Sequence, residues 1–165
     1  MKDTLLKKTQ VKSNIALLIS RLDDIAWLTN LRGKDIKFNP VFFAFAVLFI
    51  NDSGESLNLY VKNKDKFSTE DVQKHLVDNN ITLYDYNEIY SFNNDEYTIV
   101  TDSESVNQNL YSIITKSGNK YEIIDQDPIE YTKYIKTDHE ISGMRNCQIR
   151  DGAAVVSYFA WLENE

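Results

Sequence analysis

Val41 to Ile50 reads VFFAFAVLFI, ten residues without one polar side chain. A bilayer span needs about 20 apolar residues, so this run cannot be one. Its Phe and Val content fits a pleated strand better than a helix. A strand that is apolar on both sides of its pleat has to be covered on both faces. The run therefore commits the chain to a layered fold with helices above and below a sheet. Pro40 is expected at the first residue of this strand, where its missing N–H does least harm.

The flanking sequence supplies the other layers. Lys2 to Asn14 is polar, with Leu5, Leu6 and Val11 as a thin stripe that reads as the tail of an amphipathic helix. Ile15 to Ile19 is a first buried strand. A helix then opens with Ser20 as cap and Asp23 reciprocating, while Asp23 and Asp24 favour the positive end of its dipole. Leu22, Ile25, Ala26, Leu28 and Leu31 keep helical spacing, and Gly33 is expected to end the helix in the left-handed conformation. Asn51 to Gly54 is turn chemistry, and Leu57, Leu59 and Val61 alternate with polar residues. This predicts an antiparallel hairpin over 41–62 whose second strand is the more exposed.

Downstream, Phe67 to Val72 marks a helix start, with Ser68 as cap, Asp71 as its partner and Phe67 packing on Val72. Ile81–Tyr84, Tyr97–Thr101 and Tyr121–Ile124 read as strands, and the polar stretch 87–94 is left unassigned. Thr101 with Glu104 suggests a third capping box, followed by the stripe Val106, Leu110, Ile113 and Ile114 and a stop at Gly118. Asp127-Pro128 suits a cap followed by proline in the first turn. A long helix, roughly 40 Å at 1.5 Å per residue, is expected from Thr137 to Leu162. Val155, Phe159 and Leu162 should form an exposed apolar patch on it that favours weak self-association. The fold class is α/β, a mixed six-stranded sheet with helices on both faces and a long C-terminal helix.

Charge and chemistry narrow the function. A net charge of −7 argues against a nucleic-acid partner, and no stretch reads as a membrane span. Cys147 stands alone, which points to a reducing compartment. The opening MKDTLLKKTQVKSN lacks the apolar core of a secretion signal, so the expected location is cytoplasmic, with the acceptor patterns at Asn51 and Asn80 read as turn residues. His75 and His139 lie outside any metal-ligand spacing, Asp23-Asp24 is explained by helix electrostatics, and no phosphate loop occurs among five glycines. Cys147 is expected to pack as a small apolar group, and Trp27 and Phe42 as core. The loop 30–35 with Asn39 holds the candidate site residues. Arg32, Asp35 and Asn39 could line the mouth of a neighbouring substrate channel. Alternatively, Arg32 pairs with Asp35 or caps backbone carbonyls to hold the connection.

Two blocks carry a family resemblance. LDDIAWLTNLRGKD at 22–35 with NPVFF at 39–43, and DPIEYTKYIK at 127–136 with HEISGMRNCQIRDGAAVVSYFAWLE at 139–163, resemble Xaa-Pro aminopeptidases of the creatinase and prolidase superfamily. The resemblance implies a creatinase amino-terminal-type domain over 1–136 and the first helix of a pita-bread catalytic domain over 137–165. It implies a parent metallopeptidase acting on peptides with proline second, through two divalent ions (manganese) held by two Asp, one His and two Glu beyond Glu165. A metal-bound hydroxide would attack the carbonyl before proline. No catalytic or metal residue, and no cofactor, is expected within 1–165. The implied role is shaping substrate access and assembly, with the absent catalytic domain as partner and a homodimer at full length. Family members often carry His where Gln148 stands. The other function class is a non-enzymatic peptide- or histone-binding module like the aminopeptidase-like domain in the large subunit of the chaperone FACT, to which an acidic surface would also be suited.

Overall fold

The computed structural model describes residues 9–11, 13–116 and 118–164; the helical stripe expected at Leu5 and Leu6 lies outside them. Six strands form one sheet: β1 (Ile15–Ile19), β2 (Ala44–Asn51), β3 (Gly54–Val61), β4 (Ile81–Asp85), β5 (Thr98–Asp102) and β6 (Tyr121–Ile124). Their order is β4-β3-β2-β1-β5-β6. The pairs β1/β2 and β2/β3 are antiparallel and the outer pairs are parallel, so the sheet is mixed. The helices are α1 (Leu22–Thr29), α2 (Glu70–Asp78), α3 (Gln108–Lys116), α4 (Pro128–Tyr134) and α5 (Asp138–Leu162), with 3-10 turns at Lys64–Phe67 and Tyr86–Ser91.

The middle of the sheet is where the apolar runs went. All of β1 is buried, as are the first five residues of β2. Register places Leu17 opposite Leu48 and Val100, Leu48 opposite Leu57, and Leu57 opposite Ile81. The result is a continuous apolar row five strands wide. Ile25 of α1, Leu76 of α2 and Ile129 of α4 pack in the core on that face, together with Phe42 and Phe67. The opposite face carries Ala16, Leu18, Phe45, Val47 and Ile99, packed with Ile89, Leu110 and Ile114. At about 1.5–3 kcal/mol per fully buried large apolar side chain, these two layers dominate the stability of the sheet.

Helix ends depart from the expected caps, each for a local reason. The Ser20 hydroxyl donates instead to the carbonyl of Ser105 at 2.6 Å. Arg21 occupies the cap position of α1 without a side-chain bond, leaving Asp23 and Asp24 in the first turn. α1 ends at left-handed Asn30 (φ 52°) rather than at Gly33. β2 begins at Ala44, not at Pro40, because the main chain just before it is engaged by the loop: Val41 N–H bonds to Asn39 and the Val41 carbonyl accepts from Asp35 N–H. Ser68 closes the preceding 3-10 turn by bonding to the carbonyl of Asp65, and Thr69 occupies the cap position of α2 without a side-chain bond. Thr101 is a buried β5 residue whose hydroxyl donates to Leu18, and Asn107 instead caps α3 by accepting from Leu110 N–H at 3.0 Å. At Ser20 and Thr101 a carbonyl more than 80 residues away outcompeted the short-range partner, whereas Ser68 bonds within its own 3-10 turn. The remaining turn chemistry follows expectation. Asn51 accepts from Ser53 and Gly54 N–H in the hairpin, Gly118 takes φ 74°, and Asp127 accepts from Ile129 N–H.

The chain divides into two compact units, the first ending at Glu130 and the second starting at Tyr131. In the second, Thr137 and Glu140 form a reciprocal capping box at the start of the 25-residue α5. None of the residues of α5 is buried, and Val155, Phe159 and Leu162 are all exposed as expected. Cys147 is exposed as well, so it does not pack as an apolar group: no neighbouring element buries its side of the helix. Among the described residues no helix is long and apolar enough to cross a membrane.

Candidate functional site

The loop from Asn30 to Phe43 carries Arg32, Asp35 and Asn39, and it is tightly stitched. Arg32 turns back on α1, donating from Nη1 to the carbonyls of Ala26 at 2.5 Å and Leu31 at 2.9 Å. It thereby satisfies carbonyls that the helix end leaves open. It does not pair with Asp35. The Asp35 carboxylate accepts from Phe43 N–H at 2.9 Å and meets Lys66 Nζ at 2.6 Å, which ties the loop to the start of β2 and to the first 3-10 turn. Lys66 and that backbone N–H hold the Asp35 carboxyl below the usual carboxylate range.

Gly33 sits where the loop passes closest to the chain entering β2. A Cβ built there would lie 2.6 Å from Phe42 Cβ and 2.9 Å from the Val41 carbonyl oxygen. Space, not a left-handed φ, demands glycine here. Gly33 N–H bonds to the Pro40 carbonyl, and an Ile36–Asn39 bridge closes the tip. Asn39 lines the same open concave surface as Arg32 and Asp35, and its side chain makes no hydrogen bond among the described residues. The structure thus brings the three candidates onto one loop, two as anchors and one facing outward. Lys66 and Lys62, which border the neighbouring concave surface with Asp35 and Phe43, were not singled out from sequence; the alternation Lys62, Lys64, Lys66 was the available signal.

A second polar cluster lies at the C-terminal ends of the parallel strands β1, β5 and β6, where α1 and α3 leave toward opposite faces. In open α/β sheets such a switch point often forms a ligand crevice. Here it is filled. Asp102 accepts from Glu104 and Ser105 N–H at 2.9 Å each and from the Ser105 hydroxyl. Arg21 pairs with Glu104 at 3.2 Å and Glu130 at 3.7 Å. Asp24 and Asp127 are buried beside them. So Asp24 is more than helix-start electrostatics. Burial, and a hydrogen bond with the Asp24 carboxyl, push the Asp127 carboxyl up from 3.8 to about 7. Two carboxyls can bond to each other only by sharing a proton. Burial pulls the Arg21 guanidinium down, but Asp102, Asp24, Asp127 and Glu130 together hold it above its ordinary value.

The histidines have structural surroundings. His75 Nε2 lies 2.8 Å from the Thr29 carbonyl, which can only accept, so Nε2 carries the proton. Among the described residues no three His, Cys, Asp or Glu side chains are placed to hold a metal ion. The paired metals that the resemblance implies therefore do not fit the residues described here.

The architecture defines the class as a mixed α/β layer domain with a trailing long helix. Over residues 2–140 the chain matches the creatinase/prolidase N-terminal domain, and it belongs to that family. A probable Xaa-Pro aminopeptidase P of Paracoccidioides lutzii is 40% identical over 173 residues, covering 96% of this chain and 27% of that protein. One from Sclerotinia sclerotiorum is 37% identical, covering 99% of this chain and 28% of its own length. The crystal structure of X-prolyl aminopeptidase from Caenorhabditis elegans, described as a cytosolic enzyme with a di-nuclear active site, matches with a TM-score of 0.80 and 28% identity. That match covers 99% of this chain and 26% of the nematode protein, and it bears out the creatinase amino-terminal-type fold. The chain spans about a quarter of the length of these relatives.

Two outcomes are expected. Gly33→Ala must displace Phe42 or the Val41 main chain and should cost about 1–3 kcal/mol in denaturant unfolding; an unchanged midpoint would contradict the close approach. The proton on Asp127 is held more tightly folded than unfolded, so the stability this group contributes is full below about 3.8 and is lost as pH rises through about 7. Asp127→Asn mimics the protonated acid and should flatten the stability profile between pH 5 and 8, gaining about 1–2 kcal/mol over the parent at the upper end. A profile with the parent's slope would contradict the shared proton.

Proposed function

We propose that these residues are the non-catalytic α/β domain of a metallo-aminopeptidase that releases the amino-terminal residue from peptides with proline second. Residues 1–136 make that domain, and 137–165 begin a pita-bread catalytic domain that follows. The observation that carries this reading is the span: proteins named Xaa-Pro aminopeptidase P match nearly the whole chain, which accounts for about a quarter of each. The apolar load left exposed on α5, including Met144, Ile149, Val156 and Trp161, supports a following domain that covers it.

On this reading the chemistry resides in the remainder of the protein, where two divalent ions, taken as manganese, activate water for attack on the bond before proline. The di-nuclear site of the nematode neighbour supports a pair of ions, and that neighbour's cytosolic setting supports a cytoplasmic location. The whole protein acts as a homodimer. The present domain restricts entry to short peptides and contributes to assembly. Arg32 and Asp35 hold the loop's shape at the channel mouth, while Asn39 meets the peptide.

The test uses the whole protein and a Xaa-Pro peptide with manganese. The full-length protein should turn over and residues 1–165 alone should not. Asn39→Ala in the full-length protein should raise KM several-fold with little change in kcat, because that side chain has no bonding role in the fold. Turnover by the 165-residue chain at the full-length rate, or unaltered KM in the variant, would overturn the reading.

A further inference from the structure

Among the described residues this acidic chain carries a concentrated basic surface. The segments 32–37 and 62–66 hold six cations against two carboxylates, a net +4, which leaves −11 on the rest of the chain. Asp65 aside, the acid within this surface is Asp35, already neutralised by Lys66 and Phe43 N–H. Lys64 is engaged with Asp85 and Glu88. Among the described residues Lys34, Lys37 and Lys62 have no ion-pair partner, and all three are exposed.

An aromatic side chain stands in the middle of this charge. Phe38 is 95% exposed and holds φ 64°, a left-handed conformation that a bulky residue adopts at a cost. Lys37 Nζ lies 4.9 Å from its ring centroid. Around Phe38 the loop presents an open concavity lined by Arg32 to Pro40, and a second of about 330 Å³ lies against Asp35, Phe43, Lys62, Asn63 and Lys66.

We propose that this basic, aromatic groove docks a short acidic peptide segment carrying an apolar anchor for Phe38. The charge balance chooses among anionic partners. An extended polyanion, whether a nucleic acid or an anionic bilayer, would run from the +4 surface into the field of the remaining −11 and be repelled. A segment of a few residues stays within roughly one Debye length of the lysines, about 8 Å at physiological salt. Phe38 and these lysines adjoin the Asn39 that the proposed function assigns to the substrate, but the binding measured below on the 165-residue chain succeeds or fails separately from Xaa-Pro turnover.

Fluorescence anisotropy on the 165-residue chain tests it. The probe is a labelled octapeptide of six glutamates, one leucine and one phenylalanine; the controls are its glutamine analogue, a twenty-nucleotide oligothymidylate, and phosphatidylcholine vesicles with one quarter phosphatidylserine. The acidic peptide should bind at least about tenfold more tightly than its glutamine analogue and weaken several-fold as sodium chloride rises from about 0.05 to 0.3 M. Combined Lys34→Gln, Lys37→Gln and Lys62→Gln should remove about nine-tenths of the affinity, whereas Lys→Arg at the same positions should retain it. Phe38→Ser should weaken binding about threefold or more. Equal affinity for the two peptides, unchanged affinity in the glutamine triple variant, or binding of oligothymidylate or vesicles in preference to the peptide would each overturn the proposal.

Discussion

Two-sided burial of the β1–β2 pair is the constraint from which the rest of the α/β unit follows. Leu17, Ile19, Ala46 and Leu48 face one layer while Ala16, Leu18, Phe45 and Val47 face the other. Neither face can be left to water, because each carries several large apolar groups whose exposure would cost about 1.5–3 kcal/mol apiece. Helices must therefore cross both faces, and the connections between strands must be long enough to hold them. The loop between α1 and β2 is one such connection. It has to bring the chain from a helix on one face back into the centre of the sheet.

The way it does so links packing to function. Phe42 is buried in the core and meets Phe67 edge-on, with ring centroids 5.5 Å apart. That contact pulls the chain close enough to the loop that only glycine fits at 33. Arg32 and Asp35 then close the backbone hydrogen bonds that such a tight return leaves open. A loop anchored at both ends in this way can hold Phe38 and Asn39 outward in a fixed arrangement. Rigidity of the loop thus derives from the core rather than from the loop's own sequence.

Much of this architecture is legible in the amino-acid sequence. Strands with dense apolar runs, such as Ile15–Ile19 and the 41–50 stretch, and the turn at Asn51–Gly54, announce themselves because burial and turn conformation leave few alternatives. Caps at Ser20 and Thr101 misled because each hydroxyl bonds to a carbonyl that tertiary structure brings near, which local spacing cannot encode, while Ser68 was taken up by the 3-10 turn that ends just before it. The role of Gly33 was misassigned likewise, since close approach to Phe42 is invisible in a one-dimensional pattern. Within the candidate site, the sequence offers Arg32 either Asp35 or backbone carbonyls, and it takes the carbonyls; the partner of Asp35 was not legible, because Lys66 lies 31 residues away. The Asp24–Asp127 pair escaped entirely; two acids a hundred residues apart give no sequence sign that they share a proton.

The second unit obeys a different physics. Its capping box and length make α5 a well-formed helix, yet it buries none of its residues, so its amides depend on local bonds alone. Native-state hydrogen exchange on the chain measures this difference residue by residue. Amides of Leu17, Leu18, Val47 and Leu48 should exchange only on global unfolding. Those of α5 should exchange orders of magnitude faster, and those of Gly33, Asp35 and Phe43 should lie between. Protection in α5 equal to that in β1 and β2 would contradict a fold whose stability resides in the doubly buried strand pair.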